Sequence, residues 1–141
     1  MMTSDLNLAQ QIARAAIAFE EACTGHVPSS ASVLLRENTL VITLRGALSP
    51  AEIALARSAP GAAQVQEFHR QVFQSSVDRL REAIERITGV SVHEGSVEIA
   101  TPSSAVVQVF ATGTVVQVFL LDGNAPEVSW SGTGKEAEGV P

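Results

Sequence analysis

Three histidines, one cysteine and a scatter of carboxylates are the groups in this 141-residue chain that could move protons, bind a metal or attack a substrate. The densest local set is Gln66-Glu-Phe-His-Arg-Gln71, where Glu67, or Asp78 further along, could pass a proton to His69. Phe68, Val72 and Phe73 mark the inward face of that segment, so His69 is expected at the edge of the helix or outside it, as a surface or interface histidine. It stays a weak ligand candidate. His26 and His93 are far from it in sequence, and no H-x-x-x-H or H-x-H pair occurs, so no metal site is expected. Cys23 repeats in phase with Ile12, Ala16 and Phe19 and is expected as a small buried hydrophobe, with no thiolate-stabilising neighbour beside it. Gly132-Thr-Gly134-Lys135 only superficially suggests a phosphate loop, and Ser29-Ser30 and Ser103-Ser104 lack the G-x-S-x-G elbow. Arg36 and Arg45 flank a hairpin and could bind one anion together, although solvated strand-end arginines are the plainer reading. No catalytic set emerges, and no cofactor is expected.

The composition narrows the classes further. Hydrophobic residues make up 45% and charged residues 17%, which is the balance of a globular domain with a core of its own. The net charge of −6 argues against nucleic acid, whose phosphates require concentrated positive charge. A single cysteine excludes an internal disulfide, Met1-Met-Thr-Ser-Asp5 lacks a secretory pattern, and no apolar run reaches the ~20 residues of a membrane span. A cytoplasmic protein without direct membrane insertion is the expectation.

The elements that would position these groups follow from periodicity. Residues 4–23 read as an Ala-rich helix capped by Ser4 or Asp5 and closed by Gly25. Ser32 to Arg36 and Leu40 to Arg45 read as strands around a Glu37-Asn38 turn. Ser49-Pro-Ala-Glu52 has the spacing of a helix start, with Ser at the cap, Pro first inside and Glu at the third position. That short helix is expected to run to about Ser58. Residues 61–88 form a long helix whose stripe is Val65, Phe68, Val72, Phe73, Val77, Leu80, Ile84 and Ile87. A strand from Val90 to Ala100 follows, then a break at Pro102-Ser-Ser104.

Val106-Val-Gln-Val-Phe110 and Val115-Val-Gln-Val-Phe119 are near duplicates around Ala111-Thr-Gly-Thr114, the pattern of a β-hairpin. A turn at Thr112-Gly113 would pair Phe110 with Val115, Gln108 with Gln117 and Val106 with Phe119. Val107, Val109, Val116, Val118 and Leu120 would then share the other face. One apolar face can lie under helices, and the second wants a partner. The six residues Val106, Gln108, Phe110, Val115, Gln117 and Phe119 are therefore the interface candidates. The expected architecture is α+β, two layers in the order α-β-β-α-α-β-β-β, with helices on one face of a mainly antiparallel sheet. Residues 1–121 would form the domain and 122–141 a flexible acidic tail, in which Val128 and Trp130 could dock a short piece.

Thr24-Gly-His-Val-Pro28 ahead of Ser32-Val-Leu-Leu-Arg36, and Leu44-Arg-Gly-Ala-Leu-Ser-Pro-Ala-Glu52 ahead of the long helix, resemble the MpsC-like family over roughly residues 8–121. That family is named after an accessory component of a sodium-translocating, membrane-potential-generating system. The resemblance implies a helix, a hairpin and a Gly-x-Leu-Ser-Pro-x-Glu turn into helices, and it carries no catalytic residues. It also implies a partner protein in a membrane-associated system. The function expected is that of a non-enzymatic accessory or assembly domain acting through protein–protein contacts as a homodimer. The alternative is a small-molecule sensor or enzyme with a pocket between helices and sheet, built on Cys23, His69 or the arginines. The element order also partly echoes one arrangement of KH domains, but Ser58-Ala-Pro-Gly61 stands where their Gly-x-x-Gly loop belongs.

Overall fold

Local capping chemistry sets where the helices begin and end in the computed structural model, which describes residues 7–93 and 105–137. Helix α1 (Leu8–Thr24) starts at Asn7, whose side-chain oxygen accepts the Gln10 N–H at 2.7 Å. The expected caps Ser4 and Asp5 lie outside the described residues. Gly25 closes α1 with φ 77°, a conformation glycine enters without a steric cost. Helix α2 (Pro50–Leu55) opens with the full reciprocal capping box of Ser49 and Glu52, and stops at Ala56 instead of running to Ser58. Helix α3 (Ala59–Thr88) has Pro60 in its first turn, where a missing N–H costs nothing, and ends at Gly89. The chain is completed by strands β1 (Ser30–Arg45), β2 (Ala105–Val109) and β3 (Val115–Gly132) and the short helix α4 (Gly134–Ala137).

The fold is α+β, with helices against one face of an antiparallel sheet in the order β1-β3-β2. Strand β1 doubles back within itself. Sixteen extended residues would span about 50 Å, yet the Ser29 N–H donates to the Arg45 carbonyl at 2.8 Å. The reversal falls at Glu37, which has φ 56°, so the expected Glu37-Asn38 turn exists inside a continuous ladder. Strand β3 follows both arms. Its first half pairs Val115 to Leu120 with Leu44 to Thr39, and its second half pairs Ala125 to Gly132 with Glu37 to Ala31.

Residues 122–132 are therefore strand and not a tail, a correction with a plain cause: Val128 and Trp130 alternate inward opposite Leu35 and Val33. Beyond them, the Gln10 side-chain amide donates to the Glu136 carbonyl at 2.7 Å and ties α4 to α1. The strand expected over Val90–Ala100 is described only at its start, where Val92 bridges Leu121; the rest, with Pro102-Ser-Ser104, lies outside the described residues.

The second hairpin differs from expectation by one residue. Val109 opposes Val115, Gln108 opposes Val116 and Val107 opposes Gln117. The connection is a three-residue loop, Ala111 to Gly113, with Phe110 N–H donating to Thr114 O, Gly113 N–H donating to Phe110 O, and Gly113 at φ 101°. An odd loop length moves the register by one, and side chains alternate with period two, so the two glutamines fall on opposite faces.

The core lies between the helices and the inner sheet face. The Phe73 ring packs edge-on to Phe19 at 6.3 Å and tilted on Phe119 at 5.9 Å. Ile12, Leu40, Ile42, Leu44 and Ile84 fill the layer around them, fully buried. The edge of β2 is covered from α3, where Gln66 donates to Val107 O at 3.2 Å and accepts from Val109 N–H at 2.6 Å. One amide thus satisfies both a donor and an acceptor that an open edge would expose.

The α2–α3 corner turns over Gly61, where an added Cβ would stand 1.8 Å from the Leu55 carbonyl oxygen. Gly61→Ala must displace that corner and is expected to cost about 2 kcal/mol or more in urea unfolding, well above an ordinary surface substitution. A change below about 0.5 kcal/mol would show that the corner yields freely.

Candidate functional site

The six interface candidates separate into two sets. Val115, Gln117 and Phe119 point into the core, with Phe119 wholly buried. Truncating such a Phe costs ~3–5 kcal/mol, so it belongs to the interior and not to a surface. Val106, Gln108 and Phe110 point outward, and Phe110 is 48% exposed. Register pairing places Val116, Val118 and Leu120 on that outer face, in place of the Val115, Gln117 and Phe119 expected beside Val106, Gln108 and Phe110. Leu34, exposed on the first arm of β1, and half-buried Val41 on the second extend the outer face.

Arg36 and Arg45 do not meet. Arg36 sits by the Glu37 reversal facing Glu127 at 3.9 Å, while Arg45 at the far end of β1 donates to Ser32 Oγ at 2.8 Å. His26 Nε2 donates to the Gly46 carbonyl at 3.0 Å, and His93 Nδ1 lies 2.7 Å from Asp122 Oδ1. The three histidines therefore serve three separate places. Among the described residues, no group of three or more His, Cys, Asp or Glu side chains could hold a metal ion.

His69 overturns its expected position. It is only 4% exposed, while Phe68 is 48% exposed. The inward stripe of α3 runs Val65, His69, Phe73, Val77, Leu80 and Ile84, so it keeps five of the expected residues and takes in His69 where Phe68 was expected. His69 is met inside by partners on other helices and not by Glu67 or Asp78. Glu67 is taken by Arg70, and Asp78 accepts from Arg81 at 2.8 Å.

Glu52 is the first partner, and its two oxygens do different work. Oε1 accepts the Ser49 N–H at 2.9 Å and the Ser49 hydroxyl at 3.1 Å, which completes the α2 cap. Oε2 lies 2.8 Å from His69 Nε2, and a carboxylate there requires the ring to carry its hydrogen on Nε2. Burial pushes the Glu52 carboxyl up, but the Ser49 backbone and His69 bonds outweigh it, so Glu52 ends below the usual range.

Glu20, on α1, is the second partner. Its Oε2 stands 3.7 Å from His69 Nδ1, close enough for charge and too far for a hydrogen bond, and it has no other hydrogen-bond partner among the described residues. Burial, then the negative charge of Glu52, raises the Glu20 carboxyl to about 7. From the sheet, Gln117 reaches the same place. It is 1% exposed, and both its amide atoms lack partners among the described residues. Glu20, His69, Cys23 and Gln117 line a cavity of about 10 Å³, room for roughly one water-sized group. Burial also pushes the Cys23 thiol up, which leaves it unactivated. On the other side of His69, Glu52 lines an outer groove of about 430 Å³ with Ser49, Leu55, Val65 and Phe68.

The arrangement is thus a carboxylate–imidazole–carboxylate chain running from a surface groove to a buried polar cavity. It can hold and exchange a proton. Sequence reasoning took Glu52 only as a cap and missed Glu20 altogether. The available signal was a lone acid on an apolar face, since Glu20 follows Ala16 by four and Ile17 by three.

Glu20 binds its proton more tightly folded, near 7, than unfolded, near 4.5, so the folded state holds the extra proton between these values. Its stabilising contribution is full below the lower value and is lost as pH rises through the higher one. Glu52 has the opposite sign: its contribution is present above its unfolded value and lost as pH falls through its lowered folded one. Urea unfolding should therefore give greatest stability near pH 4.5, where both contributions are present, and a loss of roughly 3 kcal/mol by about pH 8. Glu20→Gln should remove most of that loss, and an unchanged slope in the variant would contradict the assignment. His69→Ala, which strands both carboxylates, should cost about 3 kcal/mol near neutral pH.

With this geometry in hand, comparison with known proteins identifies the family. The chain belongs to the family described as "Na+-translocating membrane potential-generating system (MpsC)", whose model matches residues 4–122. No curated protein and no solved structure matches the chain. The family description concerns a membrane system, and no helix among the described residues is long and apolar enough to cross a membrane.

Proposed function

We propose that this MpsC-family chain is a non-enzymatic accessory domain that assembles through the outer face of its sheet, with a second copy of itself as the first occupant. One observation carries the reading. The face presents Leu34, Val106, Phe110 and Leu120, all exposed, around half-buried Val41, Val116 and Val118, and no helix among the described residues covers it. Contiguous exposed apolar surface of this kind marks association sites.

A second copy suits the face better than a charged partner does. Its centre carries Val, Leu and Thr, while Arg36, Arg45 and Glu127 stand at the rim, so two chains of net charge −6 can approach there without setting acid against acid. A two-fold contact needs a self-complementary patch, which a neutral pleated surface provides. Addition at the β2 edge is disfavoured because Gln66 already occupies its backbone groups. Stacking of faces is the geometry that the apolar surface favours. The family description, which names a membrane system, supports a further partner from such a system, and we propose that the two meet in the cytoplasm.

The groove beside Glu52 favours a second reading, a small-molecule sensor, because about 430 Å³ falls within the range of ligand pockets. The pocket would then lie between α2 and α3, whereas the cavity beside Gln117, between helices and sheet, measures about 10 Å³.

Size-exclusion chromatography with light scattering should give a dimer for the native chain and a folded monomer for the Phe110→Asp, Leu120→Asp variant, with helical circular dichroism unchanged. A full-size dimer in the variant would rule out the outer face as the interface.

A further inference from the structure

We propose that Glu20, His69 and Glu52 form a proton-operated latch: while one proton is held between Glu20 and His69, α2 stays docked, and loss of that proton to water releases it. This inference does not rest on assembly through the sheet.

The short helix is poorly anchored by other means. None of its side chains is buried, and Ile53 and Leu55 are exposed. Leu48 before it and Ala56 after it are buried, and between them its hold on the domain is the Glu52 to His69 contact at 2.8 Å together with the corner over Gly61. Anything that weakens the contact at His69 therefore acts on α2 before it acts on the core.

The proton count explains how it would weaken. With one proton in the Glu20–His69 contact, either a neutral carboxyl faces a neutral ring or a carboxylate faces an imidazolium. Both are attractive. With none, a buried carboxylate faces the Nδ1 lone pair at 3.7 Å, while the Glu52 carboxylate stands on the far side of the same ring. Two negative charges then flank a neutral group that water does not reach, an arrangement that buried sites tolerate poorly.

The surroundings offer little relief. On α1, besides Glu20, there is Cys23; α2 brings Glu52; α3 brings His69, and its Ser76 and Arg79 act at Cys23. The sheet brings Val107 and neutral Gln117 to the cavity. Gln117 is the independent sign that this place is built for polar exchange, because both its amide atoms are buried and unpartnered among the described residues. Release would let water reach Glu20 and would open the groove side of Val65 and Phe68, adding an apolar surface that depends on pH. The Glu20 carboxyl, raised to about 7 by burial and by Glu52, puts the transition near neutrality.

Hydrogen exchange read by mass spectrometry on the full chain tests this, at about pH 6 and about pH 8.5 with intrinsic rates corrected. The reporters are the Ile53 and Ala56 amides, which donate to Ser49 O and Glu52 O. In the native chain their protection should fall at least about tenfold at the higher pH, while α3 amides between Phe73 and Ile84 keep theirs. Glu20→Gln should hold α2 protection equal at both values. Protection of α2 that does not change with pH, an equal fall throughout the chain, or the native fall repeated in Glu20→Gln would each overturn the latch. The comparison of α2 with α3 in the native chain decides the matter even where a variant fails to fold.

Discussion

Backbone pairing in the β1-β3-β2 ladder is the constraint on which the other features rest. Side chains alternate across a strand, so a slip of one residue would exchange every inward group of β2 for an outward one. The three-residue loop at Ala111–Gly113 sets that register and sends Val107 and Val109 toward the helices. Along β3 the same alternation puts Val115, Gln117 and Phe119 inside and leaves Val116, Val118 and Leu120 to the outer face. The aromatic packing of Phe19, Phe73 and Phe119, the delivery of Gln117 beneath Glu20, and the apolar outer surface are three consequences of one pairing.

The helix layer answers to a second constraint, the cost of burying charge. Glu20 and His69 occupy positions that helical phase assigns to apolar residues, and each is about as buried as the leucines around it. The imidazole is tolerated because Glu52 meets it, and Glu52 is in place because the Ser49 cap holds its other oxygen. A capping box, ordinarily a local device, thereby acquires a tertiary role. It connects the start of α2 to the middle of α3 and, through charge, to α1.

Much of the local structure was legible in the sequence. Gly25 and Gly89 end their helices, the Ser49-Pro-Ala-Glu52 spacing yields the cap it suggests, and Leu40, Ile42 and Leu44 alternate inward. The pairing of elements was harder to see. Phe68 and His69 both border the stripe of Val65, Phe73 and Val77, and the acids that meet His69 inside lie 49 and 17 residues before it, beyond the reach of local periodicity. The hairpin's apolar repeat was plain, but the length of its loop was ambiguous between Thr112-Gly113 and Ala111–Gly113. For residues 122–132, the polar composition concealed a period-two pattern of Ala125, Val128, Trp130 and Gly132 interrupted by irregular pairing. The resemblance to the MpsC family rested on the capping element and the first hairpin, the parts whose chemistry is most local.

The central claim is that the outer sheet face is an assembly surface, and sedimentation equilibrium over a wide concentration series of the native chain tests it most directly. The account predicts a reversible shift from the 14.8 kDa single chain to twice that mass as concentration rises. A mass that stays at one chain throughout would show that the exposed Val106, Phe110 and Leu120 face does not bring two copies together, and the claim would fall.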